Sequence, residues 1–500
     1  MSPEIITFII YIGGMMGIGY YFYKQNESTS DYFLGDRSLN PYVTALSAQA
    51  SDMSGWLLMG FPGAVYAGGF NAMWIGIGLA IGTYLNWQFV GQRLRRYTEV
   101  IDAITIADFF EKRFKDNSRV LRIVTGLVIL VFFTIYVSSG LVAGGKLFES
   151  LLNIDYTIAV YFSVVIVGLY TVLGGYLAVS WTDFVQGGLM FIALIIVPIT
   201  VITNFGGFAE VWRAVSSVNP DLLHAGKSVT FDIGADVQWI SAGSGLSFIG
   251  LISLLGWGLG YFGMPHILVR FMGIKSAKQI PRSQFVAVTW VTISLIGAVL
   301  VGIVGIVVLE PLPDSEKVFL ELLDKLFSPW VSGVFLAAVL AAIMSTIDSQ
   351  LLVSSSALAE DLYTVFRRDA GQKELMWVSR GAVIVIILIG LIFALSGGSV
   401  LNIVSYAWAG LGASFGPAII FSLFWKQTTK NGALAGIVTG GATVLIWKNV
   451  GVLAGTGLYE IIPAFALSVL AIYFVSAAGK DPTKQVVKEF ETALKPLKNE

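Results

Sequence analysis

The sequence contains no cysteine and only two histidines, His224 and His266, among its 500 residues. The absence of cysteine excludes disulfide bonds, thiol catalysis and cysteine-ligated metal sites, and two histidines are too few for a histidine cluster. Charged residues are also scarce, at 13% against 56% hydrophobic residues, which does not describe a soluble surface. The net charge of −1 gives no reason to expect nucleic acid as a partner. The composition predicts an all-α polytopic membrane protein surrounded by lipid.

Thirteen apolar stretches are long enough to cross a membrane, for which a helix needs about 20 residues. Their approximate limits are 5–23, 41–64, 71–90, 122–148, 156–178, 183–203, 241–262, 284–308, 329–355, 377–396, 400–425, 431–448 and 457–478. The first has no Lys or Arg before Lys24, so we expect a retained helix and not a cleaved signal peptide. The positive-inside rule places the N-terminus outside and the C-terminus in the cytoplasm, with 25 of the 31 Lys and Arg residues, Arg270 among them, in cytoplasmic segments.

The second span is unusually polar near its middle. It carries Ser47, Gln49, Asp52 and Ser54 within eight residues. Asp52 lies eleven residues beyond Pro41, roughly 16 Å along a helix and therefore about halfway through the membrane. A carboxylate at that depth costs about 2.5–3.5 kcal/mol, so we expect Asp52 to face a cavity, an ion or a partner.

Two further spans differ from plain lipid-facing helices. The seventh has four glycines in residues 256–263, each of which weakens a helix by about 1 kcal/mol relative to alanine, so a break is expected there. The ninth carries Ala342, Ser345, Thr346 and Ser349 at the spacing of one helical face. Hydroxyl and carbonyl oxygens suit a hard cation, and a nearby carboxylate supplies compensating charge.

The two interrupted spans are the second and the seventh, five spans apart. A unit of five helices repeated in tandem inserts its second copy upside down, so spans 2–6 and 7–11 are predicted to form a five-plus-five inverted repeat, as in secondary transporters. The predicted divisions are a peripheral N-terminal helix, the first repeat, an external loop, the second repeat, two peripheral helices and a cytoplasmic tail, at 1–30, 31–203, 204–240, 241–425, 426–479 and 480–500.

Seven stretches of the chain carry a resemblance to a known family. They are DYFLGDRSL (31–39), ALSAQASDMSGWLLMGFPG (45–63), LAVSWTDFVQ (177–186), GWGLGYFGMPHILVRF (256–271), AAIMSTIDSQLLVSSSALAEDLY (341–363), VSYAWAGLGASFGP (404–417) and LYEIIPAF (458–465). In these motifs, from about residue 30 to 475, the chain resembles the sodium/solute symporter family. The resemblance implies a leucine-transporter-like core, sodium as the coupling ion and L-proline as the small-molecule substrate, taken up by alternating access at the cell membrane.

The same resemblance implies roles for individual residues. For sodium, it implies backbone carbonyls and hydroxyls from Ala50, Met53, Ala342, Ser345 and Thr346, with Asp52 as the adjacent carboxylate. For proline, it implies a pocket of Ser54, Gly55, Trp56, Tyr136, Trp257 and Tyr261. Arg37 is implied in cytoplasmic gating or coupling, and we expect Asp183 and Asp348 to assist ion exit. Beyond lipid, no obligatory protein partner is evident from the sequence.

Each of these residues also has a purely structural interpretation. Asp52 is able to cap a broken helix, and Ser345 and Thr346 are able to serve close helix packing. Asp183 and Asp348 stand near the cytoplasmic ends of their spans, where water would solvate them. The gating arginine fits the positive-inside pattern, and any single aromatic residue in a chain with 13% aromatics fits a lipid-facing position.

Other functions remain open at this point. Within the same class of sodium-coupled symporters, the alternative to proline is another small solute, such as a betaine, another amino acid or a carboxylate. A channel requires a continuous polar pore, whereas the sequence shows one local polar cluster, and an enzyme requires a catalytic set that scattered acids and two histidines do not supply. The stretch Gly140–Lys146 imitates a phosphate-binding loop, but Leu147 replaces the Ser or Thr that would hold magnesium, so ATP-driven transport is unsupported.

Overall fold

The computed structural model describes residues 2–23, 33–173, 175–234 and 238–494. Lys24, residues 31 and 32 of the first motif and the last six residues of the predicted tail lie outside the described residues. Within the described part, eight helices are long and apolar enough to span a membrane, and a bent pair, Phe248–Gly263 with Pro265–Gly273, makes a ninth. Each of the thirteen predicted spans overlaps one or more helices. Several of these helices are too short or too polar to be counted as membrane-spanning, so the count of thirteen stays a prediction.

The regular secondary structure of the first half consists of helices, among the residues that the structure describes. Its helices are α1 (Pro3–Tyr23), α2 (Pro41–Asp52), α3 (Phe61–Gly68), α4 (Met73–Leu85), α5 (Gln92–Val100), α6 (Ile106–Phe114), α7 (Val120–Leu152), α8 (Tyr156–Leu173) and α9 (Tyr176–Asn204). At 33 residues, α7 is about 50 Å long. It is therefore long enough to cross the whole hydrocarbon layer of a membrane.

A connecting segment with a short hairpin separates the halves. It contains α10 (Phe208–Val218) and two antiparallel strands, β1 (Lys227–Asp232) and β2 (Gln238–Gly245). The predicted start of the seventh span at 241 is therefore wrong, because this residue pairs with β1 in the hairpin. The membrane helix begins at Phe248, where the Ser247 hydroxyl accepts the Gly250 N–H at 3.0 Å and caps the first turn.

The second half is again helical. Its helices are α11 (Phe248–Leu255), α12 (Pro265–Gly273), α13 (Ile280–Val308), α14 (Val318–Leu326), α15 (Pro329–Ser356), α16 (Gln372–Ala394), α17 (Val400–Phe424), α18 (Lys430–Asn449), α19 (Ile461–Ala477) and α20 (Lys484–Leu494). Helix α2 of the first half packs against α9 and against α12, α13 and α15 of the second half, so it lies at the centre of the molecule.

The second span is interrupted, as predicted. Helix α2 begins after Asn40, whose side-chain oxygen accepts the N–H groups of the next two free amides, with Pro41 at the first helical position. It ends at Asp52, and Met53 leaves the helical conformation with φ −78° and ψ 74°. The chain resumes as a wide π-helical turn, Trp56–Gly60, which continues into α3.

The seventh span is interrupted where its glycines concentrate. Residues 256–263 form a tight 3₁₀ segment that continues α11. The span bends by 45° just after this segment, between Phe248–Gly263 and Pro265–Gly273. This segment lies directly on α4: a Cβ atom on Gly258 would stand 2.2 Å from the Gly78 carbonyl oxygen, and one on Gly82 would stand 2.2 Å from the Gly258 oxygen. The absence of side chains at these positions is what allows the two backbones to touch.

We predict that Gly82→Ala destabilises the protein, because its new methyl group meets backbone atoms that cannot rotate away. Overpacking of this kind costs about 1–3 kcal/mol. Gly188→Ala is the matched control, since a Cβ there has no heavy atom within 4 Å. Thermal unfolding of the purified proteins in detergent should show a lower midpoint for Gly82→Ala alone. Equal midpoints for the two variants would contradict the close contact between α4 and the glycine segment.

Candidate functional site

The end of α2 and the middle of α15 meet through oxygen atoms. The Ser345 hydroxyl donates to the Ala50 carbonyl oxygen at 2.8 Å and to the Ala342 carbonyl oxygen at 3.2 Å, and the Thr346 hydroxyl donates to the Ala50 oxygen at 3.3 Å. Ser345 and Thr346 are buried. The structure thus brings together four of the predicted sodium ligands, and the fifth, Met53, lies three residues beyond Ala50 where α2 ends.

Asp52 lies beside this group of oxygens and is fully buried. Its Oδ2 atom accepts a hydrogen bond from the Tyr261 hydroxyl at 2.6 Å, whereas Oδ1 has no hydrogen-bond partner among the described residues. A buried carboxylate oxygen without a donor is costly unless a cation or a further donor faces it. The donor set of carbonyls, hydroxyls and one available carboxylate oxygen therefore fits a sodium ion carried as cargo.

The Asp52 carbonyl is the centre of a second group of contacts. It accepts hydrogen bonds from the Trp56 indole N–H at 3.0 Å, from the Ser54 N–H at 2.9 Å and from the Tyr136 hydroxyl at 3.4 Å. The backbone N–H of Trp56 donates to the Ser54 hydroxyl at 3.3 Å. Gly55 packs so closely on α7 that a Cβ there would stand 2.6 Å from the Ala143 Cβ. The predicted substrate residues of the first half are thus gathered around the interruption of α2.

Aromatic rings from the second half line the same region. We call the rings of Trp56, Tyr136, Trp257 and Tyr261 together the aromatic wall. The Trp257 ring lies 6.4 Å from the Trp56 ring and 5.6 Å from the Tyr459 ring, measured between centroids. The Tyr261 ring lies 5.2 Å from the Trp408 ring, and the Trp408 indole N–H donates to the Trp257 carbonyl oxygen at 2.8 Å. Tyr459 and Trp408 were not predicted, although both stand in the quoted motifs 458–465 and 404–417.

A buried ion pair lies one helical turn away from the sodium ligands. Arg270 Nη2 is 3.0 Å from Asp183 Oδ2, and both side chains are fully buried. The guanidinium also donates to the Ser47 hydroxyl at 3.0 Å and to the Ser349 hydroxyl at 2.7 Å. Ser47 precedes Ala50 by three residues on α2, and Ser349 follows Ser345 by four on α15. The pair therefore joins α2, α9, α12 and α15 directly beside the oxygen group.

This pair corrects two interpretations of the sequence. Arg270 is not a cytoplasmic loop residue, because it lies within α12 and is enclosed by three other helices. Asp183 is not a water-exposed helix end, because it lies inside α9, where the guanidinium and the Ser47 hydroxyl bind its Oδ2 atom. Asp348 is likewise fully buried and accepts a hydrogen bond from the Thr171 hydroxyl, so water does not solvate it either.

Arg37 holds several backbone segments together at one end of the molecule. Its guanidinium donates to the Thr98 hydroxyl and carbonyl oxygen at 3.2 and 3.0 Å, to the Met272 carbonyl oxygen at 3.2 Å and to the Ala103 carbonyl oxygen at 2.9 Å. Partial burial lowers the pKa of Arg37, and the nearby Arg95 lowers it further, but a guanidinium remains charged. Arg37 thus closes this end, which we call the Arg37 end, by joining the segment before α2 to α5 and α12.

The opposite end, which we call the Lys146 end, contains a cavity of about 740 Å³. Lys146 lies in its wall, 2.7 Å from Glu316 Oε2 and 3.0 Å from Asp314 Oδ2. Glu316 accepts the N–H groups of Val400 at 2.9 Å and of the following residue at 3.0 Å, so it caps the first turn of α17. Gly60, at the end of the π-helical turn that begins at Trp56, also lines the cavity.

We predict that Arg270→Gln strongly destabilises the protein, because it leaves the Asp183 carboxylate buried without its cation. Removing one partner of a buried pair costs about 3–5 kcal/mol. Asp183→Asn added to the same variant should restore part of the lost thermal stability. The control is Arg213→Gln, since Arg213 pairs with Glu210 at 2.7 Å while 72% exposed. Equal unfolding midpoints for Arg270→Gln and the control would contradict the prediction. So would a double variant that unfolds at the same temperature as Arg270→Gln alone.

The chain is similar in sequence and in fold to known membrane transporters. The model of a family described as the sodium:solute symporter family matches residues 32–440. The sodium/proline symporter of Escherichia coli is 47% identical over 98% of this chain and 96% of that protein, and the high-affinity proline transporter PutP of Bacillus subtilis is 49% identical over 95% and 98%. A solved structure of a Na⁺-coupled sialic acid symporter, 18% identical, superposes with a TM-score of 0.79 over 97% of this chain and 99% of that one. These matches confirm the predicted resemblance and fold class, a helical membrane protein with a leucine-transporter-like inverted-repeat core.

Proposed function

Because the chain belongs to the sodium:solute symporter family, we propose that it couples the entry of sodium to the uptake of L-proline by alternating access. The observation that carries this proposal is the junction at Asp52. There, an oxygen group suited to a hard cation, one carboxylate oxygen without a partner and a wall of aromatic rings meet at the interruption of a central helix. Relatives that share nearly half of their residues with this chain are named for proline transport.

In this proposal, sodium binds between α2 and α15. The carbonyl oxygens of Ala50, Met53 and Ala342 and the hydroxyl oxygens of Ser345 and Thr346 are its ligands. Each hydroxyl now donates to a carbonyl, and its lone pairs are available to a cation from the other side. Asp52 supplies the compensating negative charge. By bridging α2 and α15, the ion stabilises the arrangement in which the substrate pocket is complete.

Proline binds next to the ion, within the aromatic wall. Its carboxylate requires hydrogen-bond donors at the start of the resumed helix. The Ser54 and Trp56 amides already bind the Asp52 carbonyl and the Ser54 hydroxyl, so we assign this role first to the Gly55 N–H. Its pyrrolidine ring requires apolar surface, which the rings of Trp56, Tyr136, Trp257 and Tyr261 supply. Coupling between the two solutes is then reciprocal: sodium raises proline affinity by the same factor by which proline raises sodium affinity.

Access alternates between the two ends. We assign the Lys146 end to the outside and the Arg37 end to the cytoplasm, with the N-terminus outside, because this agrees with the distribution of Lys and Arg. In this proposal, the Arg270–Asp183 pair and the Arg37 contacts are the closure on the cytoplasmic side, and the cavity at the Lys146 end is the entrance from outside. Release into the cytoplasm requires both closures to part, and Asp183 and Asp348 then offer carboxylates to the leaving ion.

The energy of this coupling is sufficient for concentrative uptake. One positive charge moving inward gains about 2.3 kcal/mol at 100 mV. A tenfold sodium gradient adds about 1.4 kcal/mol. At one sodium per substrate, the total of about 3.7 kcal/mol supports roughly 500-fold accumulation. Because proline has no net charge, the cycle should carry current.

A sodium-coupled symporter of a different small solute, such as a betaine, another amino acid or a carboxylate, is the second candidate. It shares every sodium ligand and differs only in the pocket. No enzymatic activity, nucleic acid or obligatory protein partner belongs to this proposal, and lipid is the surrounding medium.

The experiment that tests the function is uptake of a panel of labelled solutes into proteoliposomes, with and without an imposed sodium gradient. We expect sodium-dependent accumulation of proline, abolished when the gradient is removed and absent from protein-free vesicles. Preloading with unlabelled proline should accelerate entry of the label, which a channel does not do. Sodium-dependent uptake of another solute in preference to proline would replace the substrate, and uptake indifferent to sodium would contradict the coupling.

We predict that Asp52→Asn raises the sodium concentration needed for half-maximal proline uptake by at least tenfold, because it removes the compensating charge beside the ligands. Asp324→Asn, at an exposed position of α14, is a control with the same chemical change. Sodium titrations of initial uptake rates into proteoliposomes measure both. Unchanged sodium dependence in Asp52→Asn would remove Asp52 from the sodium site.

A further inference from the structure

His266 is a buried titratable residue that the proposed mechanism does not use. It is the second residue of α12 and is fully buried. Neither of its ring nitrogens has a hydrogen-bond partner among the described residues. An imidazole always carries at least one N–H donor, and an unpaired donor in a dry interior is unfavourable. The ring is therefore prepared for a partner that belongs to another stage of the transport cycle.

The surroundings of His266 are aromatic. Its ring lies 5.4 Å from the Phe133 ring and 6.3 Å from the Tyr136 ring, both in edge-on arrangements. Tyr136 is also a wall of the proposed pocket, since its hydroxyl reaches the Asp52 carbonyl. A single ring thus separates the imidazole from the region where the substrate is proposed to bind.

Along and just before α12, several polar groups follow one another in the proposed direction of transport. Tyr261, which binds Asp52, precedes the helix, and Met272, whose carbonyl accepts from Arg37, stands near its end. Between them come His266 and, one turn later on the same face, Arg270, whose Nη1 atom donates to the His266 carbonyl oxygen at 3.2 Å. Donors therefore follow one another from the pocket towards the Arg37 end.

We infer that His266 lines the exit route of the substrate and donates a hydrogen bond to its carboxylate between the pocket and Arg270. This inference rests on the proposed function, and it adds a residue that acts in transit and not in the resting pocket. The chemical class it recognises is an amino acid with a free carboxylate. Sodium is a less suitable ligand, because a hard cation prefers oxygen atoms to an imidazole nitrogen.

The test compares His266→Leu, which removes the donor, with His266→Gln, which keeps an N–H group and an acceptor. Two quantities are measured for each variant and for the native protein: equilibrium binding of labelled proline in saturating sodium, and the maximal rate of proline uptake into proteoliposomes. We expect His266→Leu to bind proline within threefold of native but to transport it at least tenfold more slowly. His266→Gln should transport within threefold of native.

Three results would overturn the inference. Native transport by His266→Leu would show that the donor is not used, and equal impairment of both variants would show that only packing matters. A loss of binding that matches the loss of rate would place His266 in the resting pocket. If His266→Leu fails to reach the membrane, His266→Phe, which also lacks a donor, takes its place in the same comparison.

Measurements on the native protein distinguish a failure of this inference from a failure of the proposed function. If the native protein carries another carboxylated solute, the proposed substrate is wrong, and the same ratio of rate to binding is measured with that solute. If the solutes it carries have no carboxylate, the role of His266 is overturned together with the substrate.

Discussion

A helix that is interrupted inside a membrane exposes backbone groups that lipid cannot satisfy, and this constraint organises the whole molecule. The interruption of α2 at Asp52 must be enclosed by protein, so α2 packs against α9 on one side and against α12, α13 and α15 on the other. The groups that enclose it are polar: the Ser345 and Thr346 hydroxyls bind the Ala50 carbonyl, and the Trp56 and Tyr136 side chains bind the Asp52 carbonyl. A site for a small ion and a zwitterion arises from the same requirement.

The second interruption is enclosed differently. Gly258 allows the 3₁₀ segment 256–263 to lie against the backbone of α4, and Gly263 allows it to approach the backbone of α17. Tyr261 extends from the same segment to Asp52. One hydrogen bond of 2.6 Å therefore connects the interrupted helices of the two repeats. Because each repeat supplies one end of this bond, neither can rearrange its interruption without affecting the other.

Much of this site could be predicted from the sequence, for a physical reason. Carboxylates, glycine clusters and hydroxyl stripes are conspicuous in an apolar chain, so Asp52, the 256–263 segment and Ser345 with Thr346 were recognisable before any contact was known. Arg270 was not, because counting charges near span ends treats every arginine as a loop residue. Only contacts with Ser47, Asp183 and Ser349, which are remote in sequence, show that its charge is satisfied inside the protein. The same limit explains why Asp183 and Asp348 were read as solvated.

The contact between α2 and α15 has a consequence for how the two helices separate. Apolar side chains that part inside a protein expose surface that water wets poorly, which makes such a movement expensive. Here the facing groups are the hydroxyls of Ser47, Ser345, Thr346 and Ser349 with one guanidinium between them. Water molecules are able to replace each of these hydrogen bonds as the gap widens. Water is therefore able to enter the contact between α2 and α15 as these helices separate. Separation there exposes less apolar surface than separation of helices that pack through apolar side chains.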